Sequence, residues 1–346
     1  MGINRKGHAV NHTIKISNKI LGDGHPCFVI VEAGSNHDGK FEQAKKLIDI
    51  AVGAQADAVK FQLFKAEFLY SPGDAAFSIV KENELPRDWL KELNSYAQKK
   101  GIIFMATPFD NEAIDLLVKI KCPAIKIASS EVTNLPLVHY AALQQLPILL
   151  STGMSNLADI YEALEVIRRA GNDSVALMQC SAVYPANAED VLLRNMDTLK
   201  NAFSLPVGFS DHTLGILMPP VAVARGACVV EKHFTLDKRL PGPDHSYAIE
   251  PDELAQMVKD IRTVEKSLGS LQKAMLPQER KFGRREGLYA ARDIARNAEF
   301  AQDMIMSQRP AVGIDARFLK FVIGRRTKRN FKTGEPIHWG DFLNDK

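Results

Sequence analysis

Short apolar runs and amphipathic segments alternate along the chain from residue 27 to residue 268. The segments between the runs, such as LADIYEALEVIRRAG, carry apolar residues at helical spacing. Buried strands alternating with amphipathic helices indicate a parallel sheet covered by helices. Eight such units predict a (β/α)₈ TIM barrel. The eight runs are CFVIVEAG, DAVKFQLF, IIFMATPF, AIKIASSE, PILLSTGM, VALMQCSAVY, PVGFSDHT and CVVEKHFT.

An open, doubly wound sheet is the alternative architecture for this pattern. It fits less well, because no strand is followed by a glycine-rich phosphate loop and because eight strands suit a barrel.

The same pattern predicts four segments. Residues 1–26 contain TIKISNKILGDGHP, which predicts a hairpin that caps the barrel. Residues 27–268 are the predicted barrel. Residues 269–287 combine proline, glycine and mixed charge and are predicted to be a linker. Residues 288–346 contain short strand-like pieces with turn signals, which predict a small, mostly β domain.

Composition excludes several classes of protein. The 346 residues are 46% hydrophobic and 25% charged, as in ordinary globular proteins, and a net charge of +3 does not favour a nucleic-acid partner. The four cysteines form no CxxC pair, so we predict reduced thiols and a cytoplasmic location. The N-terminal residues have no signal-peptide pattern, and no apolar run is long enough to span a membrane.

Polar residues concentrate at the ends of the predicted strands. In a barrel of this kind the active site lies at the C-terminal ends of the strands. The residues found there can bind charge or a metal ion: Glu32, Asn36, Lys60, Gln62, Thr107, Lys126, Ser129, Glu131, Ser151, Tyr184, Ser210, His212, Glu231 and His233.

Two histidines, His212 and His233, end neighbouring predicted strands. A single histidine at a strand end is more often a structural residue than a ligand. Two of them with carboxylates on the same rim favour a divalent transition metal with open coordination positions. Asp211 and Glu231 are the expected partners that would orient the two rings.

Two lysines, Lys60 and Lys126, lie inside apolar runs, where a lysine needs an anionic partner. That partner is either a protein carboxylate or a bound phosphate or carboxylate. The hydroxyls of Thr107, Ser129, Ser151 and Ser210 and the STGMSN turn would suit a small anion that carries both a phosphate and a carboxylate. Asp244 lies in the loop RLPGPDHSY, which follows the eighth strand and would cover the barrel mouth.

The motifs EAGSNHDG, AVKFQ, TPFD, KIASSE, LSTGM, YPAN, GFSDHT, EKHFTLDK and PGPDHSYAIEPDEL occur in this order. Together they resemble the sialic acid synthase family. That resemblance implies an enzyme, a transferase that condenses phosphoenolpyruvate with an N-acetylhexosamine such as N-acetylmannosamine and releases phosphate by C–O cleavage. The C-terminal segment resembles the family's antifreeze-like SAF domain, a β-clip fold.

The resemblance also implies roles for individual residues. His212 and His233 match the ligands of a divalent metal, usually Mn²⁺, with Mg²⁺ or Co²⁺ as alternatives. Glu131 matches an acidic residue that would act as the base for water. Arg309 matches an arginine that a partner subunit supplies in a domain-swapped homodimer. The remaining positions match residues that bind phosphoenolpyruvate (Lys60, Gln62, Thr107, Lys126, Ser129, Ser151, Ser210) or the sugar (Glu32, Tyr184, Asp244), and Glu32 is also assigned to catalysis.

Several alternatives stay open at this point. A legionaminate or pseudaminate synthase acting on a diacetamido-trideoxyhexose would share these motifs. A Schiff-base aldolase would use Lys60 or Lys126 as its nucleophile. A binuclear metal hydrolase and a non-enzymatic binding protein fit the strand ends less well. The sequence departs from the family pattern at three places. Ala182 stands where relatives often carry Asn or a hydroxyl, and Phe282 is only approximately in register with an expected linker aromatic. The segment AEFLYSPGDAAFSIVKENELP, after the second strand, aligns poorly with the family, so the sugar contact expected there is unassigned.

Overall fold

The computed structural model describes residues 13–270, 272–281 and 283–343. Within these ranges the chain forms two compact units, one that ends at Gly269 and one that begins at Ser270. Residues 1–12 of the predicted N-terminal segment and Phe282 lie outside the described ranges. None of the helices in the described ranges is long and apolar enough to cross a membrane.

The first unit is built on a parallel sheet of eight strands. Strands that are adjacent in sequence pair with each other, and the first of the eight also pairs with the last. Within the described ranges, the one neighbouring pair without a hydrogen-bonded ladder is Ile103–Pro108 and Ile125–Ile127. This wrap-around order belongs to a barrel and not to an open, doubly wound sheet. The predicted barrel is therefore confirmed as a nearly closed, TIM-like sheet. Its strands are β3 (Phe28–Gly34), β4 (Ala58–Leu63), β5 (Ile103–Pro108), β6 (Ile125–Ile127), β7 (Ile148–Ser151), β8 (Val175–Cys180), β9 (Val207–Asp211) and β10 (Val229–His233).

Helices follow the strands and cover the outside of the barrel, with apolar residues at helical spacing turned inward. Several begin at side-chain caps; Asn156, for example, forms a capping box with Asp159. The helices of this unit are α1 (Phe41–Gly53), α2 (Ala66–Leu69), α3 (Ala75–Glu82), α4 (Leu90–Lys100), α5 (Asn111–Lys119), α6 (Leu135–Leu143), α7 (Leu157–Arg169), α8 (Asn195–Phe203), α9 (Met218–Ala224) and α10 (Pro251–Leu268).

Alternation along each strand separates two apolar layers. In β3, Val29 and Val31 belong to the large core between strands and helices, whereas Phe28 and Ile30 belong to a smaller core inside the barrel. Because successive side chains point to opposite faces, the next inward residue of β3 is Glu32. The other strands follow the same rule, so the barrel interior is apolar at its N-terminal end and polar at its C-terminal end.

An antiparallel hairpin precedes the barrel. It consists of β1 (Thr13–Ile16) and β2 (Lys19–Gly22). Its residues Ile14, Ile16 and Leu21 are buried in the same inner core as Phe28 and Ala58. The hairpin thus packs against the apolar, N-terminal end of the barrel interior.

The second unit has a small core of its own. The strands β11 (Gly287–Ala290) and β12 (Ile305–Gln308) pair in antiparallel fashion, and isolated bridges join the remaining turns. Leu288, Phe300 and Phe331 are among its fully buried side chains. A short exposed helix, α11 (Pro277–Lys281), lies in the segment that the sequence predicts to be a linker.

Candidate active site

Four buried charged side chains meet inside the C-terminal end of the barrel. Lys60 on β4 forms an ion pair with Glu32 on β3, and its Nζ lies 3.6 Å from Oε2 of Glu231 on β10. Nζ of Lys126 on β6 lies 3.7 Å from the other oxygen of Glu231. All four side chains are at most 5% exposed, so these charges interact with little screening by solvent. We call these four residues the lysine–carboxylate cluster.

Hydroxyl groups from neighbouring strands bind the two lysines. Lys60 donates to Thr107 Oγ1 at 2.7 Å, and Lys126 donates to Ser151 Oγ at 2.6 Å. Each inward lysine therefore has a hydroxyl partner one strand away, at the same level of the barrel.

Two further serines complete this level of the site. Ser210 donates from its hydroxyl to Glu231 Oε1 at 3.0 Å. The backbone N–H of Gly153 donates to Ser129 Oγ at 2.9 Å, which joins the STGMSN turn to the residues after β6. A side chain at position 153 would meet that hydroxyl at 2.9 Å, so only glycine allows the turn to pack this closely.

The two carboxylates of the cluster titrate in opposite directions. Burial raises the pKa of Glu32 to about 7, even though Lys60 acts to lower it. Burial opposes charge on Glu231 as well, but Lys126 and Lys60 together lower the pKa of that carboxyl well below its usual range. Near neutral pH, Glu231 is therefore ionised while Glu32 holds a proton part of the time. The two lysines then face a single fully ionised carboxylate, an arrangement that favours an incoming anion.

This difference gives a testable dependence of stability on pH. The pKa of Glu32 is about 7 in the folded chain, above its ordinary value of 4.5. The folded state therefore binds more protons than the unfolded state between these values, so stability falls as pH rises from about 4.5 to 7. Between pH 5 and pH 8, we expect the Tm of the wild type to fall several degrees more than that of Glu32→Gln. Parallel Tm curves would contradict the assignment.

The two histidines stand side by side at the ends of β9 and β10. Their ring centroids are 5.5 Å apart, and both side chains are about 95% buried. Nδ1 of His212 lies 2.7 Å from the carbonyl oxygen of Ser181. Because a carbonyl only accepts, Nδ1 carries the proton and Nε2 keeps its lone pair. Burial lowers the pKa of each ring to about 4, so both imidazoles are neutral at physiological pH.

These features fit a divalent transition metal. Neutral imidazoles are good ligands, and the tautomer of His212 leaves Nε2 available. In the described residues no group of three His, Cys, Asp or Glu side chains is arranged to hold a metal. Two protein ligands leave coordination positions open, which suits a metal that binds substrate and not a closed structural site.

The loop after β10 folds over the barrel mouth and carries Asp244. Asp244 Oδ2 accepts from the backbone and hydroxyl of Ser35, and Oδ1 accepts from the hydroxyl of Tyr247 at 2.7 Å. His233 Nδ1 lies 3.8 Å from Asp244 Oδ2. The ring of Tyr184 lies with its centroid 4.1 Å from that of His212. The two predicted metal ligands and two predicted sugar-binding residues thus share one wall of the mouth.

Gln62 and Glu131, two predicted site residues of the first unit, form no hydrogen bond or ion pair with the lysine–carboxylate cluster in the part of the chain that the structure describes. Gln62 occupies the next inward position of β4 after Lys60, and it is partly exposed. The carboxylate of Glu131 accepts from Ser130 and Asn134, both close to it in sequence. Arg309 lies in the second unit, where it is exposed and 3.6 Å from Glu286. The roles given to these residues stay predictions.

Two expectations about orienting partners are wrong. Asp211 does not reach a histidine ring, because it is on the outer face of β9 and binds Lys232. Glu231 interacts with the two lysines and Ser210, while the partner of His212 Nδ1 is a backbone carbonyl. The period-two alternation of β9 could have revealed the first error, since Asp211 and His212 must point to opposite faces.

Some site residues were not singled out from the sequence. The sequence analysis names Glu231 as a strand-end residue and as a partner of histidine but not as a partner of the lysines, although its inward position follows from the strand pattern. Ser35 and Tyr247, which hold Asp244, gave no separate signal, because their contact depends on how the loop after β10 folds.

A parallel barrel that carries buried lysines and neutral imidazoles at the C-terminal ends of its strands is typical of an enzyme, because the active sites of such barrels lie at that end. Residues 47–273 match the model of the NeuB family, and residues 285–343 match the SAF domain. The second match confirms the predicted antifreeze-like domain.

Relatives extend over almost the whole chain. The N,N'-diacetyllegionaminic acid synthase of Legionella pneumophila is 37% identical over 359 residues, covering 98% of this chain and 99% of the relative. The enzyme of the same name from Campylobacter jejuni is 40% identical over 327 residues, covering 89% and 98%. The N-acetylneuraminic acid synthetase of Leptospira borgpetersenii, crystallised with citrate, superposes with a TM-score of 0.74 at 34% identity, covering 79% and 96%.

The chain therefore belongs to the NeuB family of sialic acid, legionaminic acid and pseudaminic acid synthases. Members of this family are enzymes whose general reaction condenses phosphoenolpyruvate with a sugar.

Proposed function

We propose that this protein condenses phosphoenolpyruvate with an N-acetylhexosamine to a nine-carbon 2-keto acid and that it requires a divalent metal, with Mn²⁺ as the first candidate. The observation that carries the proposal is the convergence of Lys60 and Lys126 on Glu231 at the same end of the barrel as the neutral pair His212 and His233. One group supplies positive charge for an anion, and the other supplies ligands for a metal.

The proposed anion site consists of the two lysines and the hydroxyls around them. Lys60 and Lys126 bind the phosphate and carboxylate of phosphoenolpyruvate, with Thr107 and Ser151 already in hydrogen-bond contact with the lysines. Ser129, Ser210 and Gln62 complete this set. The relative crystallised with citrate holds another small polyanion. Fixing the anion beside the sugar supplies the proximity that the reaction needs.

The proposed sugar site lies along the wall formed by Glu32, Tyr184 and Asp244. The aldehyde carbon of the open-chain sugar is held where C3 of phosphoenolpyruvate can attack it. The metal, when bound to His212 and His233, supplies Lewis-acid polarisation of the aldehyde oxygen. Glu131 takes a proton from the water that adds at C2, and the resulting tetrahedral intermediate expels phosphate with cleavage of its C–O bond.

Product analysis tests the reaction and the choice of sugar. Phosphoenolpyruvate labelled with ¹⁸O in the bridging position is incubated with N-acetylmannosamine or with a 2,4-diacetamido-trideoxyhexose. The legionaminic acid synthases among the relatives favour the second sugar. We expect a nine-carbon keto acid and phosphate that retains the label. Unlabelled phosphate would contradict C–O cleavage. Trapping of Lys60 or Lys126 by borohydride would instead support a Schiff-base aldolase.

Gly34 gives a prediction for the sugar site. Its φ is +50°, and a Cβ there would lie 2.5 Å from Asp244 Oδ2. Gly34→Ala should therefore displace the Asp244 carboxylate, and we expect the KM for the sugar to rise roughly tenfold, which corresponds to about 1.4 kcal/mol, with little change in the KM for phosphoenolpyruvate.

Gly39→Ala is the matched control. Gly39 has a φ of +63°, but a Cβ there meets nothing within 4 Å. The two variants share the backbone strain of an alanine in the left-handed region, about 1–3 kcal/mol. Only Gly34→Ala should change sugar binding; equal KM values in both variants would remove Asp244 from the sugar site.

The proposal includes a domain-swapped homodimer in the cytoplasm. Large apolar side chains are at least half exposed in the segments that follow four barrel strands, which is typical of a surface covered by a partner: Phe68 in α2, and Met154, Val183, Leu214 and Leu217. The domain-swapped arrangement is tested by mixing the Arg309→Ala and His233→Ala variants and measuring the activity of the hybrid dimers. If Arg309 acts on the partner's site, hybrid dimers contain one intact site and activity returns. No recovery in hybrids of proven dimeric mass would contradict it.

A further inference from the structure

A buried ion pair lies directly behind the two histidines, on the outer face of the barrel. Nζ of Lys232 is 2.6 Å from Asp211 Oδ2, and each side chain is at most 1% exposed. The neighbouring residues on this face, among them Phe209 and Phe234, belong to the apolar core between strands and helices. Burying two charges in such a layer is costly, and an apolar pair of similar volume is often as stable or more stable. Stability alone therefore does not account for the pair.

The pair holds the residue that directly follows His212. Asp211 accepts from the backbone N–H of Thr213 at 3.0 Å and from its hydroxyl at 3.2 Å. Lys232 donates to the carbonyl oxygen of Thr213. Thr213, the residue after His212, is thereby bound at its N–H, its hydroxyl and its carbonyl.

The same pair controls how the two histidine strands lie against each other. Lys232 and Asp211 are register partners on β10 and β9. His233 is the last residue of β10, and His212 directly follows the end of β9. Each histidine comes one residue after its member of the pair and therefore points to the opposite face, into the barrel. A sideways or lengthwise shift of one strand end would therefore change the distance between the two imidazoles.

We propose that Asp211 and Lys232 are positioning residues that fix the spacing of the His212 and His233 rings for metal binding. The inference rests on the proposed function, because it requires that the two rings bind a metal. In this role the two residues contact neither metal nor substrate and act only through the positions of His212 and His233.

The test measures Mn²⁺ affinity of the metal-free full-length protein without substrate, from the electron paramagnetic resonance signal of free Mn²⁺. Lys232→Met should weaken affinity tenfold or more, in the range found when residues behind metal ligands are changed. It also leaves Asp211 buried without its cation and lowers Tm. The double variant Asp211→Asn/Lys232→Met removes both charges and should recover much of the Tm. The Mn²⁺ affinity of the double variant should stay reduced, because the Thr213 carbonyl still lacks the hydrogen bond from Lys232.

Arg262→Met is the matched control, because Arg262 makes comparable contacts at the opposite ends of the strands. It donates to Asp57 Oδ2 and to the Cys27 carbonyl, each at 2.8 Å. This variant should lose Tm but keep the Mn²⁺ affinity of the wild type. Wild-type affinity in a folded Lys232→Met or double variant would overturn the inference and leave the proposed function intact. Failure of the wild type itself to bind Mn²⁺ would overturn the metal site and the inference together.

Discussion

Lys60→Met is expected to reduce stability by about 3–5 kcal/mol and to abolish turnover. Lys60 is buried between Glu32 and Glu231, and these carboxylates raise its pKa even though burial opposes the charge. Removing the ammonium group leaves two buried acids without their shared cation, which is the costly way to break a buried pair. It also removes one of the two positive charges proposed to bind phosphoenolpyruvate. Denaturant unfolding and a phosphate-release assay measure the two effects.

Lys81→Met is the control for the loss of stability. Lys81 also contacts two carboxylates, Glu67 and Glu84, but its side chain is 45% exposed. Exposed pairs of this kind contribute little to the free energy of unfolding, because solvent screens the charges. A further double variant, Lys60→Met/Glu32→Gln, should recover part of the stability because one unpaired charge is removed. A loss below about 1 kcal/mol in Lys60→Met would contradict the described cluster.

His212→Gln and His233→Gln are each expected to lower turnover by about a thousandfold. Loss of Lewis-acid stabilisation costs several kcal/mol, and each 1.36 kcal/mol is a factor of ten in rate. Glutamine retains a polar side chain of similar length but lacks the imidazole ligand. Both variants should remain folded and should lose Mn²⁺ affinity, as measured by calorimetry.

His245→Gln separates a metal ligand from a buried structural histidine. His245 is fully buried in the same loop as Asp244, but its Nε2 lies 2.7 Å from Asp38 and its Nδ1 2.6 Å from Thr235. With both nitrogens engaged, this ring is not expected to bind metal. Mn²⁺ affinity should stay within a few-fold of the wild type. Equal loss of affinity in all three variants would contradict the assignment of His212 and His233.

The barrel was predictable because its strands carry a strong, repeated signal. Apolar runs such as CFVIVEAG are buried on both faces, so their composition alone indicates a parallel sheet. Strand ends were less certain: the run VALMQCSAVY contains β8, which stops at Cys180. Tyr184 therefore lies beyond the strand end, on the loop that places its ring against His212.

Much of the site was predictable, because the active site of such a barrel lies at the C-terminal ends of its strands. Lys60, Lys126, His212 and His233 all lie at that end, as this rule predicts. What the sequence does not give is the partner of each group. Lys232 and Asp211 look like further site residues, yet alternation turns them outward to bind each other. The network that holds Asp244 depends on a long loop, whose path no periodic pattern specifies.

The central claim is tested most directly by phosphate release from phosphoenolpyruvate. Chelator-treated protein is assayed with a panel of N-acetylhexosamines, with and without added Mn²⁺. We predict release only when both a suitable sugar and the metal are present, and none with His212→Gln. Sugar-dependent release that persists at full rate in the chelated protein would contradict the metal site. Absence of release with every sugar and every divalent metal would contradict the synthase function itself.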